Sequence, residues 1–137
     1  MDNSGLILFA HGARDPRWAA PFEAVAAQVR RQRPGAAVLL AFLEFMAPSL
    51  PDAGAALVAT GCTQVGVLPL FLGAGGHVRK DLPLLMDALR RDHPGVDFTL
   101  HAAVGEAGSV VLAMAQVAVA TLTPATLTAR HPDTLTP

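Results

Sequence analysis

Residues 6–16 read LILFAHGARDP, in which five consecutive apolar residues run directly into a histidine, a glycine and an Asp-Pro pair. A continuous apolar run of this length is typical of a strand that is buried on both faces, as in a parallel sheet covered by helices. Asp15 and Pro16 have the chemistry of an N-cap and a first helical position. The stretch therefore predicts a strand over Leu6–Ala10 followed by a helix, which is how an α/β unit begins.

The rest of the chain repeats this alternation of short apolar runs and helix-period segments. Further strands are predicted over residues 38–43, 65–71 and 96–103, each followed by a helix. We therefore predict an α/β fold with a four-stranded, mainly parallel sheet of order 2-1-3-4, flanked by helices, in a single domain spanning residues 1–122. The Thr- and Pro-rich segment 123–137 lacks apolar periodicity and is predicted to be a disordered tail.

Three positions bear on where the helices begin. Pro21 falls early in the first helix and should either delay its start or kink it. Asp81 and Ser109 are the predicted N-caps of the third and fourth helices.

Composition narrows the class of protein. The chain has 137 residues, 52% of them hydrophobic, which suits one compact domain. Its 10 Lys and Arg against 11 Asp and Glu argue against a nucleic-acid partner. The longest apolar runs, such as residues 36–43, are shorter than the ~20 residues of a membrane span, so no membrane partner is expected. Cys62 has no second cysteine to pair with, and the N-terminus does not resemble a secretory signal; both features favour the cytoplasm.

The topology places candidate functional residues at one edge of the sheet. In open parallel sheets, ligands bind beyond the carboxyl ends of the strands, where adjacent strands send their helices to opposite faces. With the order 2-1-3-4, this point lies between strands one and three. His11 follows strand one, His77 follows strand three and its glycine-rich loop, and Glu44 ends strand two. We expect two imidazoles to converge on one cleft, with a carboxylate nearby.

Each of these residues also has a purely structural interpretation. His11 alone fits a turn residue that hydrogen-bonds the backbone, and Glu44 fits a strand-end carboxylate in water. The glycines of the third motif fit either loop filler or a phosphate cradle, but the lysine and hydroxyl residue of a P-loop are missing, so a nucleotide site is a weak hypothesis. His93 is interpreted as a helix-end residue, and His101 as part of the core or the sheet surface.

The positive charges around the histidines are individually ordinary surface residues. Grouped beside both histidines, they make a mouth for carboxylates plausible. They are Arg14, Arg17, Arg79 and Lys80.

Three motifs together carry a family resemblance: HGARDP at 11–16, FLEFMAPSL at 42–50 and PLFLGAGGHVRKDLP at 69–83. In this order and spacing they resemble the short sirohydrochlorin cobaltochelatases of cobalamin and siroheme biosynthesis, in the class II chelatase superfamily. The resemblance covers residues 5–105 and implies a chelatase-like three-layer fold. It also implies that His11 and His77 bind metal and abstract protons. Ala13 replaces a common serine, and VGEAGS at 104–109 departs from the family's closing motif.

The chemistry of metal insertion suits these residues. Inserting a divalent ion into a tetrapyrrole removes two pyrrole N–H protons, so the site must hold a metal and accept protons near neutral pH. An unperturbed histidine titrates near ~6.5, and its neutral imidazole ligates Co²⁺, Fe²⁺, Ni²⁺ and Zn²⁺. Two imidazoles, with Glu44 as a further catalytic candidate, bind more weakly than a closed four-ligand site, which suits delivery. The metal is a substrate, and no tightly bound cofactor is expected.

The predicted tetrapyrrole contacts fall into two groups. Cationic side chains are expected to hold the carboxylate rim, and an apolar wall to contact the macrocycle face, while two glycines let it approach the backbone. The cations are Arg14, Arg79 and Lys80; the wall is Phe45, Met46 and Leu72; the glycines are Gly75 and Gly76.

These expectations predict an ATP-independent chelatase, a lyase, that inserts Co²⁺ into sirohydrochlorin. The alternatives are insertion of Fe²⁺ or Ni²⁺ by the same residues, and a non-catalytic metal or tetrapyrrole carrier that uses the same cleft. One small domain offers a flat macrocycle only one wall, so a homodimer is predicted. The apolar last helix offers an interface, although it also fits a helix packed wholly within its own domain; its large apolar residues are Val110, Val111, Leu112, Met114, Val117 and Val119.

Overall fold

The computed structural model describes residues 3–73 and 75–122, apart from the side chain of His77. Its core is a four-stranded parallel sheet of order β2-β1-β3-β4, which confirms the predicted α/β class and strand order. The strands are β1 (Ser4–Ala10), β2 (Ala37–Phe42), β3 (Gln64–Pro69) and β4 (Asp97–Leu100). The predicted tail at 123–137, including His131, lies outside the described residues.

Within the described residues, four α-helices and two short 3₁₀ helices connect and follow the strands. The α-helices are α1 (Ala20–Gln32), α2 (Leu50–Ala59), α3 (Gly76–Asp92) and α4 (Gly108–Ala120); the 3₁₀ helices are Pro16–Ala19 and Val104–Glu106. None of the helices within the described ranges has the length and apolarity that crossing a bilayer requires.

The strand side chains alternate between two helical layers. On one face of β1, Ile7 and Phe9 are buried in the main core, to which α2 and α3 contribute. On the other face, Leu8 is buried together with Ala26 of α1. Both faces of β1 are therefore covered, which is the physical reason that its sequence is continuously apolar.

Pro21 delays the first α-helix. Asp15 caps the 3₁₀ helix Pro16–Ala19 by accepting a hydrogen bond from the backbone N–H of Arg17 at 2.9 Å. The α-helix proper starts only at Ala20, which puts Pro21 in its first turn, where the missing N–H would have no intrahelical partner.

The two other predicted caps are wrong. The third helix begins at Gly76 with Gly75 as its N-cap, so Asp81 lies inside it, and the helix continues through Pro83. This interior proline is tolerated in a helix whose buried stripe, at 78, 82, 86 and 89, packs on the main core. The fourth helix begins at Gly108 after the N-cap Ala107, so Ser109 lies in its first turn.

The last helix does not pack within its own domain, so that alternative is wrong. None of the residues of α4 is buried. Its principal contact is with the neighbouring 3₁₀ helix Val104–Glu106.

Candidate active site

His11 directly follows β1, at the edge of the sheet where backbone hydrogen bonds join the carboxyl ends of β1, β2 and β3. Its backbone carbonyl accepts a hydrogen bond from the N–H of Glu44, at 3.0 Å, just beyond β2. On the other side of β1, the N–H of Leu70 donates to the carbonyl of Phe9 at 2.7 Å. The structure thus brings His11 and Glu44 together at the predicted switch point between β1 and β3.

The imidazole of His11 packs against the ring of Phe71 and remains accessible to solvent. Its ring centroid lies 4.3 Å from that of Phe71, with the rings tilted by 35°. Phe71 is buried and in turn contacts Phe9, whose ring centroid is 5.9 Å away. His11 itself is exposed. A solvent-accessible imidazole held against the core is suited to exchanging a ligand or a proton.

Gly12 allows the two loops to interlock. Its φ of +90° is in the region that favours glycine, and a Cβ at this position would overlap the backbone carbonyl oxygen of Glu44. Only glycine therefore lets the chain leaving β2 lie this close to the residue after His11.

Phe45 occupies a strained turn at the rim of the site. Its φ is +67°, and the N–H of Met46 donates to the carbonyl of Glu44 at 2.8 Å, which makes a γ-turn centred on Phe45. Phe45 is 56% exposed. The guanidinium carbon of Arg14 lies 4.4 Å from the centroid of its ring, a cation–π contact. A cation and an aromatic ring from two loops thus form one exposed platform.

The other two residues of the predicted apolar wall differ in exposure. Leu72 presents an exposed side chain beyond β3. Met46 is partly buried and packs against Ala10 and Phe42 beneath the start of α1. Phe45 and Leu72 are therefore the apolar groups that face solvent, and Met46 anchors the loop that carries Phe45.

The start of α3 supplies backbone donors to the same edge. Gly75 is the N-cap without a side-chain hydrogen bond, Gly76 is the first helical residue, and His77 is the second. The first N–H groups of a helix lack intrahelical acceptors and favour anionic groups. Arg79 and Lys80 follow with exposed side chains.

The described residues do not complete a metal centre. No group of three or more His, Cys, Asp or Glu side chains suited to a metal ion occurs among them, and the side chain of His77 is not part of that description. Of the predicted donor residues, His11 and Glu44 are joined through their backbones.

One of the four positive residues grouped beside the histidines in the sequence is paired. The guanidinium of Arg17 forms an ion pair with Asp15 at 2.9 Å. Hydrogen bonds from Arg17 lower the pKa of the Asp15 carboxyl below its usual range. Arg17 is therefore partly neutralised, whereas Arg14 lies over Phe45.

Sequence reasoning missed a cavity of about 440 Å³ at this edge, between α2 and α3. It is mainly apolar, and its lining comes from the ends of β1 and β2 and from both helices: Phe9, Phe42, Leu43, Ser49, Leu50, Pro51, Asp81, Leu84 and Leu85. The run LPLL at 82–85 was the available signal, because three leucines in four residues cannot all face the core of one helix. Leu84 is the exposed one.

Of the two other histidines in the described residues, His93 lies away from this edge, whereas His101 directly follows β4 and donates its N–H to the carbonyl of Val67 at 2.9 Å. His93 ends α3, donates its N–H to the carbonyl of Leu89 at 3.0 Å, and has its ring 6.0 Å from that of Phe98, as expected of a helix-end residue. His101 follows β4 and is exposed, with its ring over Gly66.

Comparison with known proteins points to one family. The profile of the CbiX family matches residues 5–121. A sirohydrochlorin cobaltochelatase from Saccharolobus solfataricus is 33% identical over 82 residues, which are 60% of this chain and 62% of the relative. One from Methanosarcina acetivorans is 29% identical over 79 residues, 58% of this chain and 61% of the relative. The match thus spans about three fifths of the length of these curated relatives.

Solved structures share the fold. A protein from Marinobacter aquaeolei VT8, described provisionally as a cobalamin (vitamin B12) biosynthesis CbiX protein, has a TM-score of 0.75 and 35% identity, covering 84% of this chain and 93% of that one. The sirohydrochlorin chelatase SirB from Bacillus subtilis subspecies spizizenii, in complex with cobalt, has a TM-score of 0.68 and 24% identity, covering 85% of this chain and 49% of SirB. The second likeness concerns the fold alone.

Proposed function

Because the chain belongs to the CbiX family, we propose that it is a sirohydrochlorin chelatase and that Co²⁺ is the metal it inserts. The observation that carries the proposal is the exposed imidazole of His11, braced on Phe71 beside the Arg14–Phe45 platform. Cobalt is preferred to Fe²⁺ and Ni²⁺ because the curated relatives are named cobaltochelatases. The affinity order of these ions for imidazole and carboxylate donors is set largely by the ions themselves, so the donor set does not single out cobalt.

In this proposal, a neutral ring nitrogen of His11 holds the incoming metal and, once the metal has passed to the macrocycle, accepts one of the two pyrrole protons. The other proton passes to His77 or Glu44. His77, at the second position of α3 on the same sheet edge, supplies the second imidazole. Glu44, tied to His11 through the backbone, supplies a carboxylate that ligates the ion or takes up a proton. An open, incompletely liganded site releases its metal readily, as delivery to the macrocycle requires.

The tetrapyrrole contacts follow from charge and exposure. Phe45 and Leu72 offer apolar surface to the macrocycle face, supported by Met46. The cations Arg14, Arg79 and Lys80, with the first N–H groups of α3, bind its carboxylates.

The glycines of the third motif support close approach of a ligand. A Cβ at Gly73, Gly75 or Gly76 would have no heavy atom of the described residues within 4 Å, and none of the three glycines has a positive φ. The fold therefore does not itself require glycine at these positions. A flat ligand lying against the backbone would require it.

A metal-insertion assay tests the activity directly. Purified protein, sirohydrochlorin and Co²⁺ at a fixed free concentration are followed by the change in macrocycle absorbance, with Fe²⁺ and Ni²⁺ in parallel. We expect insertion faster than in a protein-free control, and fastest with Co²⁺. Insertion no faster than the control would refute the enzyme, and tetrapyrrole binding without insertion would indicate a carrier.

We also propose that the working unit is a cytoplasmic homodimer, in which a second copy provides the other wall of the cleft. The sheet edge described above is open on one side, whereas ligand pockets usually bury some 70–90% of a ligand's surface. In this arrangement the two carboxyl edges face one another. Buried, unpaired Cys62 fits a reducing compartment.

Two substitutions of Phe45 distinguish the backbone strain at this residue from the contribution of its ring to substrate binding. Phe45→Gly and Phe45→Ala remove the same exposed ring, but only glycine relieves the left-handed φ, which costs a bulky residue about 1–2 kcal/mol. We expect both variants to lower kcat/KM by about tenfold, the equivalent of ~1.4 kcal/mol of lost stacking and cation–π contact. The melting temperature of Phe45→Gly should equal or exceed that of Phe45→Ala. Unchanged kinetics in both variants would remove Phe45 from the substrate site.

A further inference from the structure

Asp81 is a carboxylate that helix capping does not explain. It lies inside α3, beyond the first turn, so it does not satisfy the unpaired N–H groups that follow the N-cap Gly75. It is only partly exposed and lines the mainly apolar cavity between α2 and α3. A charged group in such surroundings costs free energy unless a polar group pairs with it. The position of Asp81 therefore calls for a polar neighbour.

The register of α3 places one polar side chain beside Asp81. Residues three and four positions apart on a helix are neighbours on one face. For Asp81 these neighbours are Val78, Leu84, Leu85 and His77, and His77 alone has a side chain that forms hydrogen bonds. Helical side chains also lean toward the N-terminus of the helix. The carboxylate of Asp81 therefore covers the turn that carries His77, and not the turn that carries the two leucines.

The cavity connects this face of α3 to the carboxyl edge of the sheet. Its lining includes Phe9, two residues before His11, and Leu43, directly before Glu44. The same lining includes Asp81 and so belongs to both α3 and the strand ends. Asp81 thus lies on the side of α3 that faces the edge where His11 and Glu44 are joined.

We propose that Asp81 is a positioning residue for His77, and that its carboxylate accepts a hydrogen bond from one ring N–H of that histidine. A neutral imidazole has one N–H and one nitrogen lone pair, and the partner of the N–H decides which nitrogen carries the lone pair. Under the proposed chelatase function, on which this inference rests, the second nitrogen of His77 is then held ready for the metal or for a pyrrole proton. Removing such a carboxylate partner of a ligating histidine typically costs 10–100-fold in metal affinity or activity.

Replacing Asp81 tests its contribution to catalysis. Asp81→Leu removes the acceptor and suits the apolar lining of the cavity, so we expect an insertion rate lower by about 10–100-fold at a melting temperature that does not fall. Asp81→Glu keeps a carboxylate on the same turn and should retain a higher rate than Asp81→Leu. The matched control is Asp87→Leu on the same helix, whose carboxylate is exposed and lies 3.6 Å from Arg90. This control should keep the wild-type rate.

A double variant shows whether Asp81 acts through His77. In a His77→Ala background, Asp81→Leu should cause no further loss of rate, because the group that it positions is already absent. A further loss of the same 10–100-fold would overturn the proposal, since Asp81 would then act on the metal or the tetrapyrrole directly. An equal loss in Asp87→Leu would also overturn it.

Nuclear magnetic resonance tests the hydrogen bond without any catalysis. Long-range ¹H–¹⁵N spectra of the metal-free protein at about pH 8, where a free imidazole is neutral, report the tautomer of each ring, and His77→Ala assigns the signals of His77. We expect one tautomer of His77 in the wild type and a mixture in Asp81→Leu, with the signals of His11 and His93 unchanged. A tautomer of His77 that is the same in both proteins would overturn the proposal. If the expected change occurs but the wild type inserts no metal, the pairing of Asp81 with His77 is supported and only the proposed chelatase function fails.

Discussion

His11→Ala is expected to lower the rate of cobalt insertion into sirohydrochlorin by at least ~10²-fold, the usual loss when a positioned proton acceptor is removed. The stability should hardly change, because the imidazole is exposed and only its contact with Phe71 is lost. The measurements are the initial insertion rate at saturating metal and the thermal melting temperature. His77→Ala is expected to have a loss of the same order.

The control comes from a histidine outside the proposed site. His93→Ala removes the same side chain from the end of α3 and should leave the insertion rate close to wild type. If His11 and His77 act on one metal and one proton transfer, the double variant should be little slower than the slower single variant, because such groups fail as a unit. Wild-type rates in both single variants would exclude this mechanism.

The architecture was predictable because the sequence pattern and the topology rules agree. The uninterrupted run of β1 indicates a strand covered on both faces, and right-handed crossovers leave few sheet orders for four such units. Once β1 is central, His11 and Glu44 must lie at adjacent strand exits. Their proximity therefore follows from topology, without any knowledge of loop structure.

The details that could not be predicted depend on contacts distant in sequence. The start of α3 was misplaced because its N-cap, Gly75, has no capping side chain, whereas Asp81 has the chemistry of a cap but lies inside the helix. Pro83 strengthened that error, since an interior proline usually ends a helix. In this case, burial of the apolar stripe of α3 outweighs the local preference.

The contact between Arg14 and the ring of Phe45 also could not be predicted from the sequence. Arg14 and Phe45 were predicted separately as substrate contacts, but their stacking depends on the γ-turn at Phe45 and on the interlocked loops at Gly12. Phenylalanine has no intrinsic preference for a positive φ, so no local signal marks the turn. The sequence also does not reveal that α4 is exposed. Its apolar residues indicate that the helix is covered, but not which surface covers it.

Gly12→Ala is expected to destabilise the fold by about 3 kcal/mol or more, through two separable effects. An alanine at φ +90° carries left-handed strain of about 1–2 kcal/mol. Its Cβ would also overlap the carbonyl oxygen of Glu44, which belongs to backbone and cannot rotate away as a side chain can. Urea unfolding measures the cost as a lower midpoint at an unchanged slope.

Gly61→Ala isolates the first effect, the left-handed strain. Gly61 has a φ of +100°, but a Cβ there would meet no heavy atom within 4 Å in the part of the chain that the structure describes, so only the strain applies. We expect Gly61→Ala to lose about 1–2 kcal/mol and to keep the wild-type insertion rate per folded molecule. Gly12→Ala should lose more stability and also activity, because relieving the overlap moves the loop that carries Glu44 and Phe45 away from His11. Equal costs for the two variants would show that the loops are not interlocked at Gly12, and that Glu44 is not held beside His11 by this contact.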